Sequence, residues 1–115
     1  MGQDRRDQGE AESQAEIRTK GSVMELEDSL EGRCIKLAEA DGWFARKTAW
    51  RGRRGCPDDV FAKNHRTVWV EFKRPKQGVL SRLQVREIMR MKAAGMEVWV
   101  VDSTNQFRDI LGLPR

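Results

Sequence analysis

Asp58, Glu71 thirteen positions later, and Lys73 two beyond that are the side chains of this chain whose types and spacing carry chemistry. Glu71 and Lys73 stand in Thr67-Val-Trp-Val-Glu-Phe-Lys73, a segment dense in β-formers. Side chains alternate along a strand, so Val68, Val70 and Phe72 point to one side while Trp69, Glu71 and Lys73 point to the other. Asp58 opens the preceding strand of the expected hairpin, behind a Gly-Cys-Pro turn that stiffens the backbone. Pairing of these strands can bring Asp58 beside Glu71, although the sequence leaves the register open. Two converging carboxylates repel unless a cation or a proton joins them, and hard oxygen ligands suit Mg²⁺ or Mn²⁺ better than zinc. A cation held there polarises a phosphoryl oxygen and acidifies a bound water, while the Lys73 ammonium offsets charge on the phosphate or orients the water. These are the parts of phosphodiester hydrolysis. Glu-x-Lys on a strand is equally the pattern of a solvated ion pair, and neither it nor Pro57-Asp58 decides the matter alone.

The elements that must position these residues follow from hydrophobic periodicity. Residues 1–22 hold one branched aliphatic, no aromatic and many charges, and are read as a disordered tail, with one domain over 23–115. From Val23 the pattern is helical, with Leu26, Leu30, Cys34 and Leu37 on one face and Gly42 closing the run. Trp43–Lys47 reads as a short strand, followed by the loop Arg51-Gly-Arg-Arg-Gly-Cys-Pro57. A strand from Asp58 or Asp59 turns at Lys63-Asn-His65 into the Thr67–Lys73 strand, which Pro75 and Gly78 end. Ser81 starts a helix with Leu83, Ile88 and Met91 on one side and Gly95 at its end. Glu97–Val101 reads as a strand and Thr104–Leu111 as a closing helix. The predicted order is α-β-β-β-α-β-α: an α/β fold with a central mixed sheet flanked by helices.

Arg54-Gly-Cys-Pro-Asp58, Val70-Glu-Phe-Lys-Arg-Pro75, Leu80-Ser-Arg-Leu-Gln84 and Glu97-Val-Trp-Val-Val-Asp102 occur in this order and at suitable distances. Together they resemble the virus-type replication-repair nuclease family, VRR-NUC, of the PD-(D/E)xK superfamily, over roughly Leu30 to Leu111. The resemblance implies a restriction-endonuclease-like core, with metal ligands at Asp58, Glu71 and the main-chain carbonyl of Phe72 and a catalytic lysine at Lys73. It also implies a glutamate from the first helix, best matched by Glu31, with Glu27 on the same face as the alternative. Gln84 matches the family's glutamine beside the metal, yet Ser81-x-x-Gln84 is also a helix capping box. Asp58 is followed by Asp59 where several members have an apolar residue, and alternation aims Asp59 away from Asp58's side. The activity implied is a structure-selective DNA endonuclease using Mg²⁺ or Mn²⁺, resolving four-way junctions as a homodimer. The alternatives are a nicking or flap endonuclease and a binding module without catalysis. The resemblance further suggests a phage or prophage protein of the bacterial cytoplasm.

Charge bears on the partner. The chain carries +4 overall, and from Val23 onward 18 basic side chains face 13 acidic ones. Such a surface favours phosphate backbones through counterion release, but it also suits other acidic partners. Arg46, Lys47, Arg51, Arg53 and Arg54 lie in an acid-free stretch leading into Asp58, and Arg74 and Lys76 leave the catalytic strand; all seven are candidate nucleic-acid ligands. Arg82, Arg86 and Arg90 form a stripe that fits a solvated helix face at least as well. Trp50, set among arginines, is the tryptophan read as available for a strand junction or a partner subunit. Cys34 and Cys56 lack disulfide or zinc spacing, the single His65 gives no histidine-based hydrolase, and no phosphate-cradling glycine loop calls for a nucleotide cofactor. No apolar run is long enough to cross a membrane.

Overall fold

The computed structural model describes residues 29–73 and 79–115. Their elements run α1 (Leu30–Ala40), β1 (Phe44–Lys47), β2 (Asp59–Lys63), β3 (Arg66–Phe72), α2 (Arg82–Ala93), β4 (Glu97–Val101) and α3 (Thr104–Leu111), the order expected from sequence. The tail read at 1–22, Glu27, Arg74 and Lys76 lie outside the described residues.

One four-stranded sheet, ordered β1-β2-β3-β4, organises the chain. β1, β2 and β3 pair antiparallel, and β3 pairs parallel with β4. The β2–β3 turn is tight because Asn64 and His65 both adopt positive φ, 50° and 68°, a twist that suits a two-residue hairpin. A parallel neighbour instead requires a long crossover, and α2 supplies it.

Alternation sorts the two faces. Phe61, Val68, Val70, Phe72 and Val101 pack with Cys34 and Ala38 of α1 and with Phe107 and Leu111 of α3. Phe107, fully buried, meets Phe61 edge-on at 5.0 Å between centroids and Phe72 at 6.0 Å. Burying each such ring is worth about 1.5–3 kcal/mol. On the opposite face Val98, Ile88 and Met91 form a smaller core with Trp69, Val100, Leu80 and Met96. The sheet is therefore covered on both sides, and Glu71 faces the α2 side.

α1 differs from the periodicity. Ser29 has extended backbone, and its side chain accepts from Gly32 N at 3.0 Å, so the helix begins at Leu30 rather than running unbroken from Val23. A serine whose oxygen satisfies one of the helix's orphan amides favours a helix start at that point over continued apolar spacing. Leu83 also departs from expectation: it is 42% exposed and lies off the apolar side made by Ile88 and Met91.

Candidate active site

The β2–β3 register answers the question that sequence left open. Asp59 pairs with Val70, so one step back along β2 puts Asp58 opposite Glu71. The ladder changes character there. Phe72 N donates to the Asp58 side chain, Oδ2, at 2.8 Å, while the Asp58 carbonyl turns the other way and accepts from Thr48 N at 2.9 Å. Thr48 Oγ1 donates to the Pro57 carbonyl at 2.7 Å, clamping the turn from its far side. Asp58 is thus fixed from both neighbouring strands. Thr48 was not singled out in the sequence; continuing the β1–β2 pairing one residue past Lys47 and Asp59 is the signal that finds it.

Glu71 is 4% exposed. Gln84 reaches it from α2, with Nε2 donating to Glu71 Oε2 at 2.7 Å. The same amide closes the capping box through its oxygen, which accepts from Ser81 N at 2.8 Å, while Ser81 Oγ accepts from Gln84 N at 3.1 Å. The two readings of Gln84 describe the two ends of one side chain. Capping sets its rotamer, and the rotamer delivers the NH₂ group to Glu71.

Asp58, Glu71, Phe72, Lys73, Val79, Leu80 and Gln84 line one open cleft of about 300 Å³. Lys73 follows the end of β3 but keeps the parallel ladder going, its N donating to the Val101 carbonyl at 2.8 Å. Cys56 lies nearby, its thiol pushed up chiefly by burial, with Thr48 as a hydrogen-bond partner pulling the other way.

Glu31 takes a different place. It does not line the cleft. It is 4% exposed on α1, with Lys47 Nζ donating to its Oε2 at 2.7 Å. Its other close group is the fully buried Asp59, whose carboxyl is pushed up to about 9 by burial first and by the neighbouring Glu31 second, with Lys47 opposing. The reason is topological. α1 packs on the sheet face that carries Phe61 and Val70, and Asp59 points there, whereas Glu71 points to α2. Lys47, read as a phosphate ligand, has its ammonium on Glu31.

Arg46 stacks over Phe44 at 4.2 Å and Arg51 is exposed in a turn. Arg53 and Arg54 lie against α2 with Leu83, Arg86, Glu87 and Arg90. Trp50 does not stand out from the loop: its ring packs 5.4 Å from Trp69 in the smaller core, with Leu80 and Met96 beside it. Pairing with a half-buried tryptophan removes more apolar surface from water than projecting among arginines would.

The donor set bears on a cation. Among the described residues no group of three or more His, Cys, Asp and Glu side chains is arranged to hold a metal ion. The cleft offers instead two carboxylates, each oriented through one oxygen by a protein N–H donor, in a lining they share with Phe72. Hard oxygens of this kind, carbonyl included, fit Mg²⁺ or Mn²⁺ coordinated largely by water.

No model of a known protein family matches the chain. It is 37% identical over 78 residues to p44 of Acyrthosiphon pisum secondary endosymbiont phage 1, whose name proposes a nuclease; the match covers 67% of this chain and 83% of p44. A solved VRR_NUC domain superposes with a TM-score of 0.63 at 31% identity, over 73% of this chain and 96% of that domain. The chain belongs to the VRR-NUC family. Its mixed sheet between helices is accordingly the PD-(D/E)xK fold, and the VRR-NUC chain described here is of the phage type. The Holliday junction resolvase Hjc of Archaeoglobus fulgidus superposes with a TM-score of 0.45 at 25% identity over 62% of each chain, a likeness too loose to argue from. No helix among the described residues is long and apolar enough to cross a membrane.

Proposed function

We propose that this VRR-NUC chain is a Mg²⁺- or Mn²⁺-dependent, structure-selective DNA endonuclease that resolves four-way junctions as a homodimer. The observation that carries the catalytic part is the convergence of Asp58, Glu71, Phe72, Lys73 and Gln84 on one cleft, brought there by the β2–β3 register. Asp58, Glu71 and the Phe72 carbonyl would hold the cation, which when bound supplies positive charge for the phosphoryl oxygen and acidity for water. Lys73, half-buried at the mouth of the same cleft, holds the attacking water or faces the charge growing on the phosphate. Gln84 is a positioning residue that acts through Glu71.

The branched substrate and the dimer rest on kinship with the VRR-NUC family, and a two-fold dimer would set one cleft on each of two opposed strands. The test is cleavage of a labelled four-way junction beside linear duplex, flap and single strand of matched sequence, with Mn²⁺, Mg²⁺ or chelator. Paired symmetric incisions confined to the junction and abolished by chelator are expected. Equal cutting of the flap would reassign the enzyme to nicking or flap cleavage, and tight binding without cutting would leave a binding module.

Gln84 offers a separable prediction. Gln84→Glu retains an oxygen for the Ser81 amide, and a glutamate is a normal partner in a capping box, so the helix start is kept and the stability cost is confined to the carboxylate now facing Glu71. The group facing Glu71 becomes a carboxylate oxygen instead of an N–H donor. Cleavage should fall about 10- to 100-fold, the usual cost of losing a supporting contact to a metal ligand. Gln84→Ala should lose both stability and rate, and an unchanged rate in both variants would remove Gln84 from the machinery.

A further inference from the structure

The loop before Asp58 and the outer side of α2 form one surface. Gly55, at φ +93°, lies so close to the helix that a Cβ there would stand 2.7 Å from the Leu83 carbonyl oxygen and 3.1 Å from Glu87 Cβ. Only glycine permits that approach and that φ. Arg53 Nε adds a contact at 3.6 Å to Glu87 Oε1, and the Glu87 side chain is only 14% exposed although Arg53 is 56% exposed. The loop is therefore fastened to α2, and Arg53 and Arg54 come to rest beside Arg86 and Arg90 around a groove of about 260 Å³. Glu87 is the sole acid among its lining residues, so four guanidinium groups leave a strong positive excess.

Position gives this charge a meaning. Leu83 lines the groove and the next residue, Gln84, lines the cleft and holds Glu71, so groove and cleft meet across the first turn of α2. From Gln84 to Arg90 the helix rises about 9 Å. At about 3.4 Å of axial rise per nucleotide of a duplex, that distance measured along the duplex axis corresponds to about two to three nucleotides.

We infer that this groove binds a backbone phosphate of the DNA strand being cut, about two to three nucleotides from the scissile bond, with Arg86 and Arg90 joining Arg53 and Arg54 as its ligands. The inference rests on the nuclease reading of the neighbouring cleft. Guanidinium groups are matched to phosphate by their planar forks, and Glu87 holds Arg53 in place before the strand arrives. The stripe on α2 is thus functional along two of its three arginines, the third, Arg82, lying outside the groove lining.

The experiment measures binding of a fluorescent DNA duplex and a four-way junction in chelator, as a function of salt, for wild type, Arg86→Ala/Arg90→Ala and the control Lys92→Ala, an exposed residue of the same helix outside the groove. Losing two of the four guanidinium ligands of one phosphate should reduce the slope of log affinity against log salt by up to about one and weaken binding at low salt about tenfold or more. Lys92→Ala should match wild type. In a second arm one phosphate two or three nucleotides from the cut is replaced by neutral methylphosphonate, which should weaken wild type more than the double variant, in which only Arg53 and Arg54 remain at the groove. An unchanged slope in the double variant, or equal sensitivity of both proteins to the methylphosphonate, overturns the groove while metal-dependent cutting by wild type still stands. Wild type that neither binds nor cuts overturns the nuclease reading and the groove with it.

Discussion

Glu71→Gln and Lys73→Ala are each expected to lower the single-turnover rate of DNA cleavage by at least about a thousandfold, because each removes charge that acts where the phosphate reacts. Glu71→Gln keeps the shape of a side chain that is 4% exposed, and Lys73 stands half-exposed just past the end of β3, so folding should survive both changes. Binding of the same DNA in chelator should change little, since the proposed phosphate ligands of the groove are untouched. Lys73→Arg distinguishes charge from placement. A broad guanidinium in place of a compact ammonium keeps the sign but not the point of application, and should recover only a small part of the rate. Rate retention in Lys73→Ala, with the metal requirement intact, would move the chemistry away from this cleft. Loss of binding and cleavage together would mean that the substitution disturbs the β3 end and not the reaction.

Much of this arrangement was legible in the residues, and the illegible parts have identifiable causes. Period-two alternation in Thr67–Lys73 separated Glu71 from Val70 and Phe72, and the sheet faces follow that division. The strand Glu97–Val101 and helix Thr104–Leu111 match their sequence bounds because Gly95, Ser103 and Gly112 punctuate them with unambiguous chemistry. Register was not legible. Sliding β2 by one residue would exchange Asp58 for Asp59 opposite Glu71; what prevents it is the two-residue turn at Asn64 and His65, whose exact length the residues alone leave open, with Phe72 N to Asp58 and Thr48 to both Pro57 and Asp58 adding contacts from two other strands. Packing across elements was equally hidden. The sequence treats the arginine loop and the arginine stripe as independent features, and only the close approach of Gly55 to Leu83 joins them. Glu31 shows the limit of carrying a role from a resemblance: helical spacing placed it on the edge of an apolar face, but which side of the sheet that face covers is a property of the fold, and here it meets Lys47 and Asp59.

Asp59→Asn should reduce the pH dependence of stability between about pH 4 and 9. Asp59 is fully buried, and its carboxyl is pushed up from an ordinary value of 3.8 to about 9, by burial before all else and by Glu31 next. Between those limits the folded protein keeps a proton that the unfolded chain releases. A folded-state pKa raised above the unfolded one gives a contribution fully present below about pH 4 and lost as pH rises toward about 9. The slope for one such group is at most about 1.4 kcal/mol per pH unit. Asparagine has nearly the same shape, needs no proton to stay neutral, and can donate its NH₂ to the Glu31 carboxylate that Lys47 also contacts. The variant should therefore lose less stability than wild type as pH rises through this window and outlast it at the alkaline end, in thermal or urea titrations run across pH. Parallel curves for the two proteins would show that Asp59 is ionised in the fold and that Lys47, not a shared proton, balances the pair. The result also bears on the active site without passing through it. Asp58 and Asp59 are consecutive on β2 and face opposite ways, so the one can serve as a charged ligand in an open cleft only while the strand end stays in register. A neutral Asp59 seated under α1 supports that register, and the alkaline loss of stability should begin at this end of β2, with amide exchange at Val60 and Phe72 rising before exchange in the α3 core.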